Sequence, residues 1–411
     1  MSRRRIDGSP HYGWYIVAAG TLCVFAGLGL GRFALGMLLP SMAASLHLTY
    51  ARMGLIGTVN FAGYLIAVLF CGPLTDRFGS RRLISLALLL VGISMTLISR
   101  ADSFAAVLLL YLLTGMGSGA SNVPMMALIS AWFVSRQRGR AAGFVVIGSG
   151  FAILVTGQLI PWLNGLAGEA GWRLNWLVLG GVVILAAGVC LAVLRNHPCE
   201  LGLTPVGSRE AEGGGAGPAL PPQRLGVRTI LHLGAIYFLF GCTYVIYATF
   251  IVTVLVNERG FPEATAGTFW SWVGLLSLFS GPVFGTLSDR VGRKAGLIAV
   301  FIIQALAYLL IALNLPGLSL YLSIGFFGIV AWAIPSIMAA LVGDWAGPGQ
   351  AARVFGLITF IFAIGQICGP AVAGVLAEKS GGFGGSFWLA ALLAATAALL
   401  SAALRPEGGR H

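Results

Sequence analysis

Twelve apolar stretches, each of roughly 20 residues, constrain this chain more than any other feature. They lie near 13–38, 51–71, 83–99, 104–130, 141–163, 174–194, 229–256, 266–284, 295–314, 317–342, 354–377 and 386–404. Each is long enough to cross a hydrocarbon core of ~30 Å as a helix, the form in which a segment satisfies all its own backbone groups away from water. Only 9% of the residues are charged, where a soluble domain carries roughly a quarter. The chain therefore reads as an all-α, polytopic membrane protein. Its first run is too long, and too rich in Gly and later Arg, for a cleaved signal peptide.

The net charge of +12 follows the loops rather than a polyanion-binding face. With the N-terminus on the cytoplasmic side, nineteen of the 25 Lys and Arg fall on that side and five on the other: Arg52, Arg100, Arg173, Arg259 and Lys379. One, Arg32, lies within a span. That asymmetry is the positive-inside pattern, so both termini are expected to be cytoplasmic and no nucleic-acid partner is expected. Six scattered cysteines without a CxxC pair exclude a disulfide or metal framework from the reading, and no cofactor is expected. No HExxH, GxSxG or Walker pattern occurs, and no enzyme is expected. Gly27-x-Gly29-x-Gly31 and Gly115-x-Gly117-x-Gly119 lie mid-span, where they make close helix contacts rather than a nucleotide loop.

The chain is also internally doubled. Gly72-Pro73-Leu74-Thr75-Asp76-Arg77-Phe78-Gly79, followed by Ser80-Arg81-Arg82, returns as Gly285-Thr286-Leu287-Ser288-Asp289-Arg290-Val291-Gly292, followed by Arg293-Lys294, 213 positions later. At the same offset Arg140-Ala141-Ala142-Gly143 falls on Arg353-Val354-Phe355-Gly356, and Met53-Gly54 on Ala266-Gly267. A constant offset through several elements marks a duplicated half. The organisation read from this is a tail at 1–12, a six-helix half at 13–194, a linker at 195–228, a second half at 229–404 and a tail at 405–411. Glu210–Pro222, rich in Gly, Ala and Pro, reads as flexible.

Arg32 is the sharpest single residue. Every Asp and Glu falls in a loop or at a helix end, so no carboxylate within a span is available to neutralise it. A charge in the bilayer core costs from about 2.5 to well over 10 kcal/mol and normally faces a wet cavity. An unpaired guanidinium there forks onto a carboxylate, which points to an anionic substrate. Against this, Arg32 lies 19 residues past Gly13, roughly 28 Å along a helix and beyond the midplane. From there it could instead snorkel or hold helix-end carbonyls.

The doubled turn resembles the loop after the second and eighth helices of the major facilitator superfamily, and the resemblance runs from about 13 to 404. It implies twelve transmembrane helices in two pseudo-symmetric halves that rock around a central site. It also implies a gating latch at Asp76, Arg77, Arg81, Asp289, Arg290 and Arg293, with Arg140 and Arg353 as partners from the matching connections. In that superfamily helices 1, 4, 7 and 10 line the cavity, which makes Tyr111, Asn122, Tyr244, Tyr247, Trp332 and Gln366 further substrate candidates. The stretches His11-Tyr12-Gly13-Trp14-Tyr15-Ile16-Val17 and Pro198-Cys199-Glu200-Leu201-Gly202-Leu203 look like the monocarboxylate and oxalate/formate branches. Those branches place an arginine in helix 8, where this chain has Ser271, Ser277 and Ser280, and the oxalate exchangers a lysine in helix 11, absent here. Gly31-Arg32-Phe33-Ala34 with Leu38-Leu39-Pro40 resembles a bacterial branch with an arginine in helix 1. The expected function is secondary transport of a small organic anion, most simply a monocarboxylate, across the inner membrane by a monomer in the bilayer. No relay His or carboxylate lies within a span, so the expectation is that a proton travels with the substrate acid, that anions are exchanged, or that the protein is a facilitator. The alternatives are an exporter of amphipathic compounds and a non-transporting sensor. Gly148-Ser149-Gly150 lacks the G-P-x-x-G-G of drug/proton antiporters.

Overall fold

The computed structural model describes residues 11–208, 225–315 and 317–404. The expected tails, apart from residues 11 and 12, and the flexible centre of the expected linker lie outside the described residues. The described residues build twelve long helices: α1 (Gly13–Ser45), α2 (Tyr50–Phe78), α3 (Ser80–Ile98), α4 (Phe104–Trp132), α5 (Ser135–Ala167), α6 (Gly171–Val193), α7 (Val227–Glu258), α8 (Glu263–Val291), α9 (Arg293–Ala312), α10 (Leu318–Gly347), α11 (Gln350–Ser380) and α12 (Gly384–Ala403). Each expected apolar run coincides with one of them. Large apolar side chains such as Leu69, Phe70, Leu185 and Leu399 are exposed on the outside of the bundle, where lipid replaces water as their surroundings.

The helices form two six-helix groups with the same internal packing. α2 meets α4, α3 meets α4 and α6, and α1 meets α5; the same pairs recur six helices later as α8–α10, α9–α10, α9–α12 and α7–α11. The groups meet through α2 against α11 and, by the same symmetry, α8 against α5, with α1 against α7. α1 and α7 are buried along most of their length. They form the wall between the halves, which is why a charge on α1 lands at the centre of the molecule.

Two local features position the site. Helix α1 outruns the apolar stretch near 13–38, passing through Pro40 to end at Ser45. Proline removes one backbone donor, and a membrane helix tolerates that loss when its neighbours pack around the freed carbonyl. Between Phe25 and Phe33 the same helix widens into π-helical turns that carry Gly27, Gly29, Gly31 and Arg32. The final glycine of both repeated turns, Gly79 and Gly292, adopts a left-handed φ of 77° and 93°. A side chain would strain that conformation, so the repeat ends in glycine each time.

The start of the expected linker is ordered. Val206 pairs with the α4–α5 connection, its N–H donating to Trp132 O at 2.9 Å and its carbonyl accepting from Val134 N at 3.1 Å.

Candidate functional site

Arg32 sits at the seam of α1, α2, α4 and α7 and is 9% exposed. Its Nε donates to Asn60 Oδ1 at 3.3 Å. The guanidinium carbon lies 4.4 Å from the ring centre of Phe61 and 4.6 Å from that of Tyr64, both on α2. These contacts hold the plane of the guanidinium through cation–π attraction. Asn60 is placed by helix spacing, four residues before Tyr64. Its Nδ2 reaches the carbonyls of Gly31 and Tyr111 at 3.5 and 3.4 Å. Nη2 of Arg32 is buried without a hydrogen-bond partner, and among the described residues no carboxylate pairs with the group.

Close backbone approach makes this possible. A Cβ on Gly115 would run into the Asn60 carbonyl, and one on Gly119 would come 2.7 Å from the Tyr64 carbonyl. The glycine stripe of α4 thus lets α2 lie against it and aims Asn60, Phe61 and Tyr64 at Arg32. Ser118 Oγ, also on α4, donates to the Gly27 carbonyl at 2.6 Å and satisfies one of the groups loosened by the π-helical turns.

Of the six other substrate candidates, five gather around Arg32. Tyr111 donates its hydroxyl to the Arg32 carbonyl at 3.0 Å. Asn122 Nδ2 donates to the Tyr64 hydroxyl at 2.9 Å. Gln366 on α11 donates to the Tyr244 hydroxyl, which is also within hydrogen-bonding reach of the Arg32 side chain. Trp332 stands at the break in α10, its ring 5.3 Å from Phe33 and 5.8 Å from Tyr244. Tyr247 does not join them. It turns into the core of the second half, stacked 4.0 Å from Phe327 and hydrogen-bonded to Ser323 Oγ at 3.0 Å. The helical turn between Tyr244 and Tyr247 decides this, because three residues rotate a side chain most of the way round but not fully back. Asn60, Phe61, Tyr64 and Phe33 were missing from the candidates. Asn60 and Tyr64 carried a signal, being two polar side chains on one face of α2.

A cavity of about 10 Å³ is lined by Arg32, Phe33, Gly36, Asn60, Tyr111 and Thr249, among others. That is space for a single water. The polar contacts that join the halves on the face opposite the termini and at mid-depth include Glu378 Oε2 accepting from Ala51 N at 3.2 Å and Glu263 Oε2 accepting from Asn164 Nδ2 at 2.7 Å. Thr58 adds a third by donating to the Ile367 carbonyl at 3.0 Å. The face opposite the termini is therefore closed over Arg32 in this conformation.

The turns nearer the termini differ from expectation. Arg293 pairs with Asp289 and, at 2.8 Å, with Asp344, and also donates to Ser288 Oγ at 2.9 Å. Asp344, near the end of α10, was not among the latch candidates. It was visible as an acid closing an apolar run. Its counterpart 213 positions earlier is Ala131, so the first turn has no matching carboxylate. There Asp76 is exposed, Arg77 lies over Phe78 at 5.5 Å, and Arg81 donates to the Leu191 carbonyl at 2.8 Å. Arg140 was expected to meet these turns but lies over Trp14 and Phe144 at 5.7 and 6.0 Å. Arg353 and Arg290 are exposed. Among the described residues no ion pair joins Arg140 or Arg353 to the latch carboxylates.

Twelve spanning helices in two mutually symmetric halves, with a polar cluster at their seam, are the architecture of a major facilitator transporter. The chain belongs to the major facilitator family described as "Uncharacterised MFS-type transporter YbfB", whose family model matches residues 24–405. Among curated proteins it is 24% identical over 390 residues to the hexuronate transporter of Bacillus subtilis, covering 90% of this chain and 89% of that one. It is 23% identical over 410 residues to a probable sulfoacetate transporter, SauU, of Cupriavidus necator (94% and 93% covered). Human monocarboxylate transporter 2 matches at 22% over 400 residues (90% and 80%). Among solved structures, a bacterial homologue of the human lysosomal transporter Spinster, inward-facing and occupied, superposes with a TM-score of 0.76 at 17% identity, covering 96% of this chain and 97% of that one. The nucleoside transporter NupG gives 0.70 at 14% identity (96% and 99%).

Proposed function

We propose that this multi-pass transporter carries a small organic anion, held by Arg32, across the cytoplasmic membrane by rocking alternating access. The observation that carries the reading is Nη2 of Arg32, a buried cationic donor without a protein partner. A buried guanidinium with no anion beside it costs several kcal/mol, and a carboxylate supplies two acceptors in the geometry that relieves it. The hexuronate, sulfoacetate and monocarboxylate carriers among the relatives are all named for organic acids, which supports the same class. Tyr111, Asn122, Tyr244, Trp332 and Gln366 frame the site, and Tyr247 supports it from behind. Arg293, Asp289 and Asp344 act as the latch on the termini side, with Asp76, Arg77 and Arg81 engaging in the other conformation. The termini face the cytoplasm, by the distribution of Lys and Arg. The protein works as a monomer. With no acid at the centre of a span, the driving force is a proton travelling with the substrate acid or exchange of one anion for another.

Uptake of labelled organic acids into proteoliposomes, with and without an inward proton gradient, tests this. Saturable uptake that Arg32→Gln abolishes in folded protein is the expected result. Uptake that survives the substitution would make Arg32 structural. No uptake of any acid would move the weight to export of amphipathic compounds, for which Phe33, Phe61, Tyr244 and Trp332 provide an aromatic wall.

A further inference from the structure

A buried polar atom without a partner is uncommon, because it forfeits its hydrogen bond to water and gains nothing in return. Three such atoms gather at the seam between the halves: Nη2 of Arg32 on α1, Oδ1 of Asn122 on α4 and Nε1 of Trp332 on α10. Others, such as those of Gln304 and Tyr308, belong to α9, which packs within its own half. The seam atoms do not make a plain anion site. Two are donors suited to a carboxylate. The third is an amide oxygen, which repels a carboxylate and calls for a hydroxyl or amine hydrogen.

Their spacing follows from the contacts between them. The Tyr64 ring centre lies 4.6 Å from the guanidinium carbon, and its hydroxyl takes the 2.9 Å hydrogen bond from Asn122. The acceptor therefore stands across the Tyr64 ring from the charge. Trp332 lies on the other half, against Phe33 next to Arg32 and against Tyr244. Between these ends the walls are aromatic: Phe33, Phe61 and Tyr244.

We infer that the site takes a hydroxylated carboxylate. Its carboxylate bridges Arg32 Nη2 and Trp332 Nε1, a distal hydroxyl donates to Asn122 Oδ1, and its carbon skeleton lies against the aromatic rings. The three atoms are closed off from solvent in this conformation, so the ligand reaches them as the halves part. This inference rests on the anion reading above and narrows it.

The test compares three six-carbon probes on the purified full chain in detergent by titration calorimetry: galacturonate, hexanoate and galactose. The first has both the carboxylate and the hydroxyls, and each of the others lacks one of them. Galacturonate is expected to bind at least about tenfold more tightly than either, the effect of one charged or several neutral hydrogen bonds. Asn122→Leu is expected to weaken galacturonate by about fivefold to tenfold and leave hexanoate unchanged. Trp332→Phe keeps the ring and removes only the N–H, and is expected to weaken both acids. Should Asn122→Leu fail to fold, the three wild-type affinities and Trp332→Phe carry the test. Hexanoate binding as tightly as galacturonate, with both lost in Arg32→Gln, would overturn the hydroxylated class and leave the anion reading standing. Galactose binding as tightly as galacturonate, or no binding of either acid, would overturn both.

Discussion

Replacing Arg32 by methionine separates a ligand-binding charge from a structural one. Methionine keeps most of the side-chain length and removes the cation. The variant loses one hydrogen bond to Asn60, long at 3.3 Å, and two ring contacts at 4.4 and 4.6 Å. The first is worth about 1.5 kcal/mol and each of the others about 0.5–1, roughly 3 kcal/mol together. Against this, the folded protein no longer buries a cation with no anion beside it, a relief of about 3 kcal/mol. The terms nearly cancel. Thermal unfolding in detergent, followed by intrinsic fluorescence, should therefore stay within about 3 °C of wild type. Anion affinity should not. Losing a charge-assisted contact costs about 1.5–3 kcal/mol, a factor of roughly 10–150 in Kd. A melting temperature lowered by ten degrees or so, with anion binding intact, would refute the reasoning and make Arg32 a structural residue.

Three further outcomes follow from the packing. Gly115→Ala places a methyl against the Asn60 carbonyl and should destabilise the protein by about 1–3 kcal/mol; Gly143→Ala, with open space around it, should have no such effect in the same melting assay. Tyr247→Phe removes the bond to Ser323 and should lower stability by about 1 kcal/mol without changing ligand affinity; a loss of affinity would return Tyr247 to the substrate site. Glu378→Gln weakens the tie to the N-terminus of α2 across the halves. Spin labels at positions 52 and 379 should then show a larger share of the conformer open on that face, by no more than about fivefold for so exposed a contact; an unchanged distance distribution would mean that Glu378 does not hold the face closed.

The helices themselves were legible because lipid leaves a spanning segment no other way to satisfy its backbone, so length and composition suffice. The doubled Gly72–Gly79 and Gly285–Gly292 turns were legible for a related reason. Gly79 and Gly292 need a left-handed φ that only glycine holds cheaply, and such a position shows in sequence as an unvarying residue. Arg32 stood out because a charge inside an apolar run is costly wherever the helix sits. What surrounds it was not legible. Asn60, Phe61 and Tyr64 meet the guanidinium through the approach of α2 to the glycines of α4, and pairings between helices leave no spacing in the chain. The same limit hid Asp344, which reaches Arg293 from 51 residues away, and set Tyr247 into the core while Tyr244, three residues earlier, faces the seam. Sequence alone determined which segments cross the membrane, that they come in two matched sets, and that one of them carries a cation. Tertiary structure decided which side chains that cation meets and which polar atoms are left open to a ligand, because both depend on how the helices turn against one another.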